Sequence, residues 1–233
     1  MKESECIPYH QTGYFSTLIL DYLNRDSGLQ DFISQFPDID AFQGQIEGRG
    51  TFPMHRREIL VQTLKQQYED ADVSLSEAVS KNINLLQQEN CFTLTTGHQL
   101  NILSGPLYFI YKILDAIKLS EQLKAKYPDQ DFVPIYWMAT EDHDFAEISF
   151  INLYGGKLRW HNDLKGAVGK MPTFGFGKVL DDLEEHLGPG NNAKEILGIF
   201  REAYHERKNL SDATRYFANA LFQKFGLVIL DGD

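Results

Sequence analysis

Apolar residues recur in two rhythms along this chain, one helical and one extended. At 14–24 (YFSTLILDYLN) they fall at Phe15, Leu18, Ile19, Tyr22 and Leu23, the spacing of one helical face. The same period returns at 55–69 through Ile59, Leu60, Leu64 and Tyr68, and again up to about residue 89 through Ala78, Val79, Ile83 and Leu86. Ser74-Leu-Ser-Glu77 reads as a capping box that opens this last helix. Residues 29–36 hold another turn or two of helix, ended by Pro37. The stretch 42–53, with Gly44, Gly48, Gly50 and Pro53, reads as loop.

After residue 90 the rhythm changes. Two short apolar runs, 92–95 and 132–139, flank a long helical pattern at 107–126. That helix has apolar residues on most sides (Leu107, Ile110, Tyr111, Ile113, Leu114, Ile117, Leu119) and is expected to be mostly buried on a sheet. Ser104-Gly105-Pro106 starts it and Pro128-Asp129 breaks it. The run at 132–139 is apolar on both faces, as in a parallel sheet covered on both sides. Strand, helix and strand form a crossover, right-handed by strong precedent. Residues 148–154 and 157–160, split by Gly155-Gly156, read as a hairpin, and 163–178, rich in glycine, as a mobile surface loop. Helices follow at 180–187, 193–206 and 211–225, the last capped by Gly226. A buried strand at 227–230 leads into Asp231-Gly232-Asp233, and a chain stopping there is expected to be a fragment of a longer protein. The pattern divides into a mainly helical segment, 1–89, packing on an α/β core, 90–233.

Composition narrows the class. At 233 residues, 42% of them hydrophobic and 24% charged, the chain can bury one substantial core. The net charge of −11 argues against a nucleic-acid partner, since phosphate backbones need a basic face. No apolar run approaches the roughly 20 residues of a membrane helix, and MKESECIPYHQ has no signal-peptide shape. Two cysteines, Cys6 and Cys91, make no disulfide framework, so a reducing cytoplasm is the expected setting.

Each apolar run ends in residues capable of chemistry, where open α/β sheets bind ligands. After the first come Thr96, Gly97, His98 and Gln99. Glycine lets the backbone turn and approach a ligand, and histidine exchanges protons near neutral pH. Ser104 and Gly105, just before the long helix, sit where a helix N-terminus would cradle an anion. After the second run come Glu141, Asp142, His143 and Asp144. These carboxylates can hold a divalent metal or hydrogen-bond a polar substrate, His143 can act as acid or base, and Asp142 or Asp144 can merely cap a helix. A zinc site is not favoured, since no HExxH spacing exists. If the last strand is parallel to the others, Asp231 joins the same cleft. Lys112 is read as an interhelical or surface lysine, Arg56-Arg57 as a solvated helix start, and Trp137 and Trp160 as packing.

TTGHQLNILSGPLYFIYKILDAIKLS, PIYWMATEDHDFAEI, FGLVILDGD and the opening YHQTGYFSTLILDYL together resemble the bacillithiol synthase family, the cysteine ligases of bacillithiol biosynthesis. The resemblance implies a Rossmann-like, mainly parallel sheet with flanking helices and a helical N-terminal lobe, related to nucleotidyltransferase folds. It implies that L-cysteine is joined to the amino group of glucosaminyl-malate, with ATP or another nucleotide as the expected co-substrate. Members are longer, with a coiled coil, and are cytoplasmic homodimers, so a fragment alone is expected to be inactive. Carried onto this sequence, His98, Asp142 and His143 are the catalytic candidates. Thr96, Gly97, Gln99, Ser104, Gly105, Glu141, Asp144 and Asp231 are the binding candidates, with no metal assigned. Two other classes stay open: a metal-dependent hydrolase or transferase using 141–144 with His98, and a non-catalytic nucleotide- or sugar-binding module.

Overall fold

A computed structural model describes residues 6–49, 52–153 and 156–233. The chain forms two compact units, Met1–Thr51 and Phe52–Asp233. The first holds three short helices, α1 (Tyr9–Thr12), α2 (Thr17–Leu23) and α3 (Phe42–Gly48). Ser16 caps α2 by accepting from the Ile19 amide. The stretch expected as loop from residue 42 is instead helical to Gly48: its two glycines cost helix propensity but do not forbid the turn. None of the described residues of this unit is fully buried.

The second unit begins with α4 (Met54–Asp70) and α5 (Glu77–Leu85). The cap of α5 is Ser76, which accepts from the Val79 amide, so the helix opens two residues later than the capping-box spacing suggests. Both helices pack on the sheet, α4 against the last strand and α5 against the central one. The two units therefore part at residues 51 and 52, with both of these helices on the core side of the division. Arg57, expected in solvent, is buried. Its guanidinium donates to the carbonyls of Leu86 (2.9 Å), Cys91 (3.2 Å) and Glu89 (3.3 Å), so one side chain satisfies the end of α5 and the start of the sheet.

The sheet has three parallel strands in the order β1 (Cys91–Gln99), β2 (Asp131–Ala139) and β5 (Val228–Asp231). The twenty-residue helix α6 (Leu107–Lys126) makes the crossover from β1 to β2. It buries Ala116 and the larger Phe109, Ile113, Ile117 and Leu123, each of these larger side chains contributing roughly 1.5–3 kcal/mol. The opposite side, with Leu107, Tyr108 and Tyr111, stands in solvent, so α6 is half-buried where a mostly buried helix was expected. β5 is an edge strand, and its outer hydrogen-bonding groups are met by side chains. Tyr68 Oη accepts from the Ile229 amide, Arg215 donates to the Ile229 carbonyl, and Gln67 both accepts from and donates to the backbone of Asp231.

A small helix α7 (Phe145–Ile148) leads into an antiparallel hairpin, β3 (Phe150–Leu153) and β4 (Gly156–Arg159). Its expected turn residue Gly155 lies outside the described residues. The stretch 163–178 is pinned at its middle, contrary to the mobile loop expected there. Val168 and Gly169 are buried, and their amides donate to the carbonyls of Asp142 (2.7 Å) and Thr140 (3.0 Å). A Cβ on Gly169 would lie 2.7 Å from Thr140 Cβ, so glycine there reflects close approach, not freedom. Helices α8 (Phe176–Leu187), α9 (Asn191–Glu206) and α10 (Leu210–Phe222) complete the core. Phe176 stacks on Tyr204 at 3.7 Å, and Phe217 meets both Phe200 and Phe109. Trp160 is buried as expected, whereas Trp137 is 40% exposed. No helix among the described residues is long and apolar enough to cross a membrane.

Candidate active site

Thr96, Gly97, His98 and Gln99 lie on β1 itself and pair with Tyr136, Trp137, Met138 and Ala139 of β2. They are not in a turn after the strand, and Gly97 does not adopt positive φ. The glycine that does is Gly105, at φ +54°, following Leu103 (φ 51°) and Ser104 (φ 63°). Two consecutive non-glycine residues in the left-handed region are costly, on the order of 1–3 kcal/mol each. Burial of Leu103 and the bond from its amide to Tyr204 Oη (2.8 Å) hold the bend in place. A Cβ on Gly105 would meet Asn101, with Cγ at 2.8 Å. Gly105→Ala is therefore expected to lower stability by roughly 2–4 kcal/mol, read as a fall in the urea midpoint. A change below about 0.5 kcal/mol would show that the bend relaxes freely.

Register partners share a sheet face, which puts His98, Met138 and Asp231 on the side covered by α6 and α10. The His98 ring packs against Tyr108 (4.9 Å) and Phe109 (5.5 Å). Its Nδ1 is 3.0 Å from the Gln99 carbonyl, which Asn101 Nδ2 also reaches at 3.3 Å. Asn101 Nδ2 also lies 3.0 Å from Nδ1 itself, so Nδ1 either donates to the Gln99 carbonyl or accepts from Asn101, according to the tautomer. Nε2 is buried and has no partner. Burial lowers the His98 pKa, the Gln99 carbonyl opposes this, and the charge of Lys112 adds to the lowering. The shift favours the neutral ring, and its Nε2 is the ring nitrogen without a protein partner.

Gln99 points to the other face and acts as a clamp. Its Nε2 donates to Asp142 Oδ2 at 2.7 Å and to Glu147 Oε2 at 3.3 Å, tying β1 to the acidic stretch after β2. Asp142 Oδ1 accepts from the amides of His143 (2.7 Å) and Asp144 (3.3 Å), so this carboxylate shapes its own turn. The Gln99 bond first, then these amides, hold its carboxyl below the usual carboxylate range. In Gln99→Ala the Asp142 carboxyl is expected to titrate at higher pH, followed by carboxyl carbon NMR. An unchanged titration would mean that the clamp does not form in solution.

Glu141, His143 and Asp144 are exposed and line an open cavity of about 590 Å³ with Phe145, Lys165 and Met171. This cavity does not extend over His98, whose polar and ring partners come from residues 99–109 and not from 141–144. Asp231 lies beside Met138 on β5, as a third parallel strand requires, but its carboxylate is occupied. Thr140 Oγ1 donates to one oxygen and Ser211 Oγ to the other, and the Asp233 amide reaches the first at 3.2 Å. Among the described residues no three His, Cys, Asp or Glu side chains converge as a metal-ligand set. Sequence reasoning missed Asn101 and Glu147, both polar and close to the motifs in the chain. It also set Lys112 aside, although its ammonium donates to the Gly97 carbonyl.

A parallel βαβ sheet with polar side chains gathered at the carboxyl ends of adjacent strands is the Rossmann-like class of α/β domain, in which ligands bind at those ends. The chain belongs to the bacillithiol biosynthesis BshC family and matches its N-terminal Rossmann-like domain over residues 2–233. It is 48% identical over 231 residues to the "Putative cysteine ligase BshC" of Flavobacterium johnsoniae, a match covering 99% of this chain and 43% of that protein. The protein of the same name from Flavobacterium psychrophilum is 49% identical over 232 residues, covering 99% and 43%. That from Cytophaga hutchinsonii is 40% identical over 229 residues, covering 98% and 41%. The chain thus spans less than half the length of these relatives.

Proposed function

We propose that this chain carries the active site of an amide-forming ligase that joins L-cysteine to the amino group of glucosaminyl-malate in bacillithiol biosynthesis. The observation that carries the reading is the neutral His98 with an unengaged Nε2 at the end of β1, one residue from the clamp that holds Asp142 and Glu147. An amine attacks a carboxyl carbon only as the free base, and it sheds a proton as the C–N bond forms. In the tautomer whose Nδ1 proton is on the Gln99 carbonyl, His98 Nε2 accepts that proton. The acidic stretch 141–147 attracts the ammonium form of the incoming amine and orients it by hydrogen bonds. The carboxyl of cysteine needs a leaving group, and ATP or another nucleotide is the proposed source. Within the cytoplasm the whole protein acts as a homodimer.

The test is the full-length protein supplied with glucosaminyl-malate, cysteine and ATP, with product followed by mass spectrometry. Formation of bacillithiol that is lost in both His98→Ala and Asp142→Ala supports the reading. No product, or full rates in both variants, would overturn it.

A further inference from the structure

Lys112 has no role in the chemistry above, yet the fold holds it at the same strand end. It lies in the second turn of α6, and its ammonium turns back to donate to the carbonyl of Gly97, the residue before His98. Tyr108 links the two side chains, 4.9 Å from the His98 ring and 6.0 Å from the Lys112 ammonium. Among the described residues Lys112 has no carboxylate partner, as is also true of several other lysines such as Lys65 and Lys81. What sets Lys112 apart is its position: an exposed ammonium held on the backbone carbonyl next to His98, at the strand end where ligands of such sheets bind. One carbonyl takes one of its three N–H groups and leaves two to donate. A carbonyl also brings no negative charge, so the ammonium keeps its full attraction for an anion.

We propose that Lys112 is a substrate-binding residue that holds an anionic oxygen group, a carboxylate or a phosphate, at the carboxyl end of β1. The anion sits between α6 and the sheet end, where its charge fixes one part of the substrate while His98 works on another. The assignment rests on the ligase reading for its biological sense, but its test does not require turnover.

Calorimetry on the full-length protein with two probes, inorganic pyrophosphate and L-malate, separates the sources. Lys112→Ala is expected to weaken binding of one probe at least tenfold, and Lys112→Arg to stay within about threefold of the unsubstituted protein. Loss for pyrophosphate identifies a phosphate as the ligand group; loss for malate identifies a carboxylate. Equal affinities in Lys112→Ala and the unsubstituted protein, with only the melting temperature lowered, would make Lys112 a strut between α6 and β1 and overturn the proposal. Failure of the unsubstituted protein to bind either probe would overturn it as well. If bacillithiol synthesis fails while the affinity loss is seen, the ligase reading falls and the Lys112 site stands.

Discussion

His98→Ala in the full-length protein is expected to lower kcat by about 10²–10⁴-fold, the range for loss of a positioned general base. Its melting temperature should fall only modestly, because the half-buried ring loses its packing on Tyr108 and Phe109 and its Nδ1 contact, while its Nε2 has no partner to lose. The pH profile is the sharper readout. Burial keeps the His98 pKa below the ordinary value of 6.5, so the basic form persists into mild acid and the acid limb of the rate has its midpoint below 6.5. The sign for stability follows from the same shift. The unfolded chain binds the proton at higher pH than the folded one, so the stability contribution is complete above 6.5 and is lost as pH falls through the folded pKa. Removing Lys112 removes one of the lowering influences, so Lys112→Ala should move that acid limb upward. A midpoint above 6.5 in the unsubstituted protein, or a His98→Ala variant with unchanged kcat, would refute the assignment.

Arg57→Ala is expected to cost about 3–5 kcal/mol, a large part of the 5–15 kcal/mol by which a domain of this kind is stable. The reason is geometric. Three carbonyls at the junction of α5 and β1 depend on this one guanidinium, and each buried carbonyl left without a donor costs about 1–3 kcal/mol. Lysine in its place carries the charge but cannot reach three acceptors in different directions, so Arg57→Lys should recover only part of the loss. Urea denaturation measures both, and a loss under about 1 kcal/mol in Arg57→Ala would show that water replaces the guanidinium at no cost.

What was legible in the sequence is what depends on neighbours in the chain. The period of 107–126 and the apolar run at 132–139 fixed α6 and β2, and the polar residues after each run marked the strand ends where the site lies. What was not legible depends on partners distant in the chain. Thr96 to Gln99 look like a loop by composition, and only their ladder with Tyr136 to Ala139 makes them strand. Arg57 looks like a solvated helix start until the carbonyls of residues 86–91 arrive beside it. The glycines of 163–178 suggest mobility, yet one of them is required because Thr140 lies against it. The same holds at the site: Gln99 was visible as a polar residue after an apolar run, but its bridging of Asp142 and Glu147 appears only when β1 and β2 lie side by side. The occupied carboxylate of Asp231 needed the positions of Thr140 and Ser211, neither of which the motif includes.

The side chains along β5 have a consequence for how this protein behaves at high concentration. An uncovered strand edge is a template on which a second molecule can build intermolecular pairing. Here Gln67, Tyr68 and Arg215 have taken those backbone groups already, from α4 and α10, both earlier in the chain. Colloidal stability on this flank therefore depends on two buried side chains, Tyr68 and Arg215, and the half-buried Gln67, and their loss would be read as self-association.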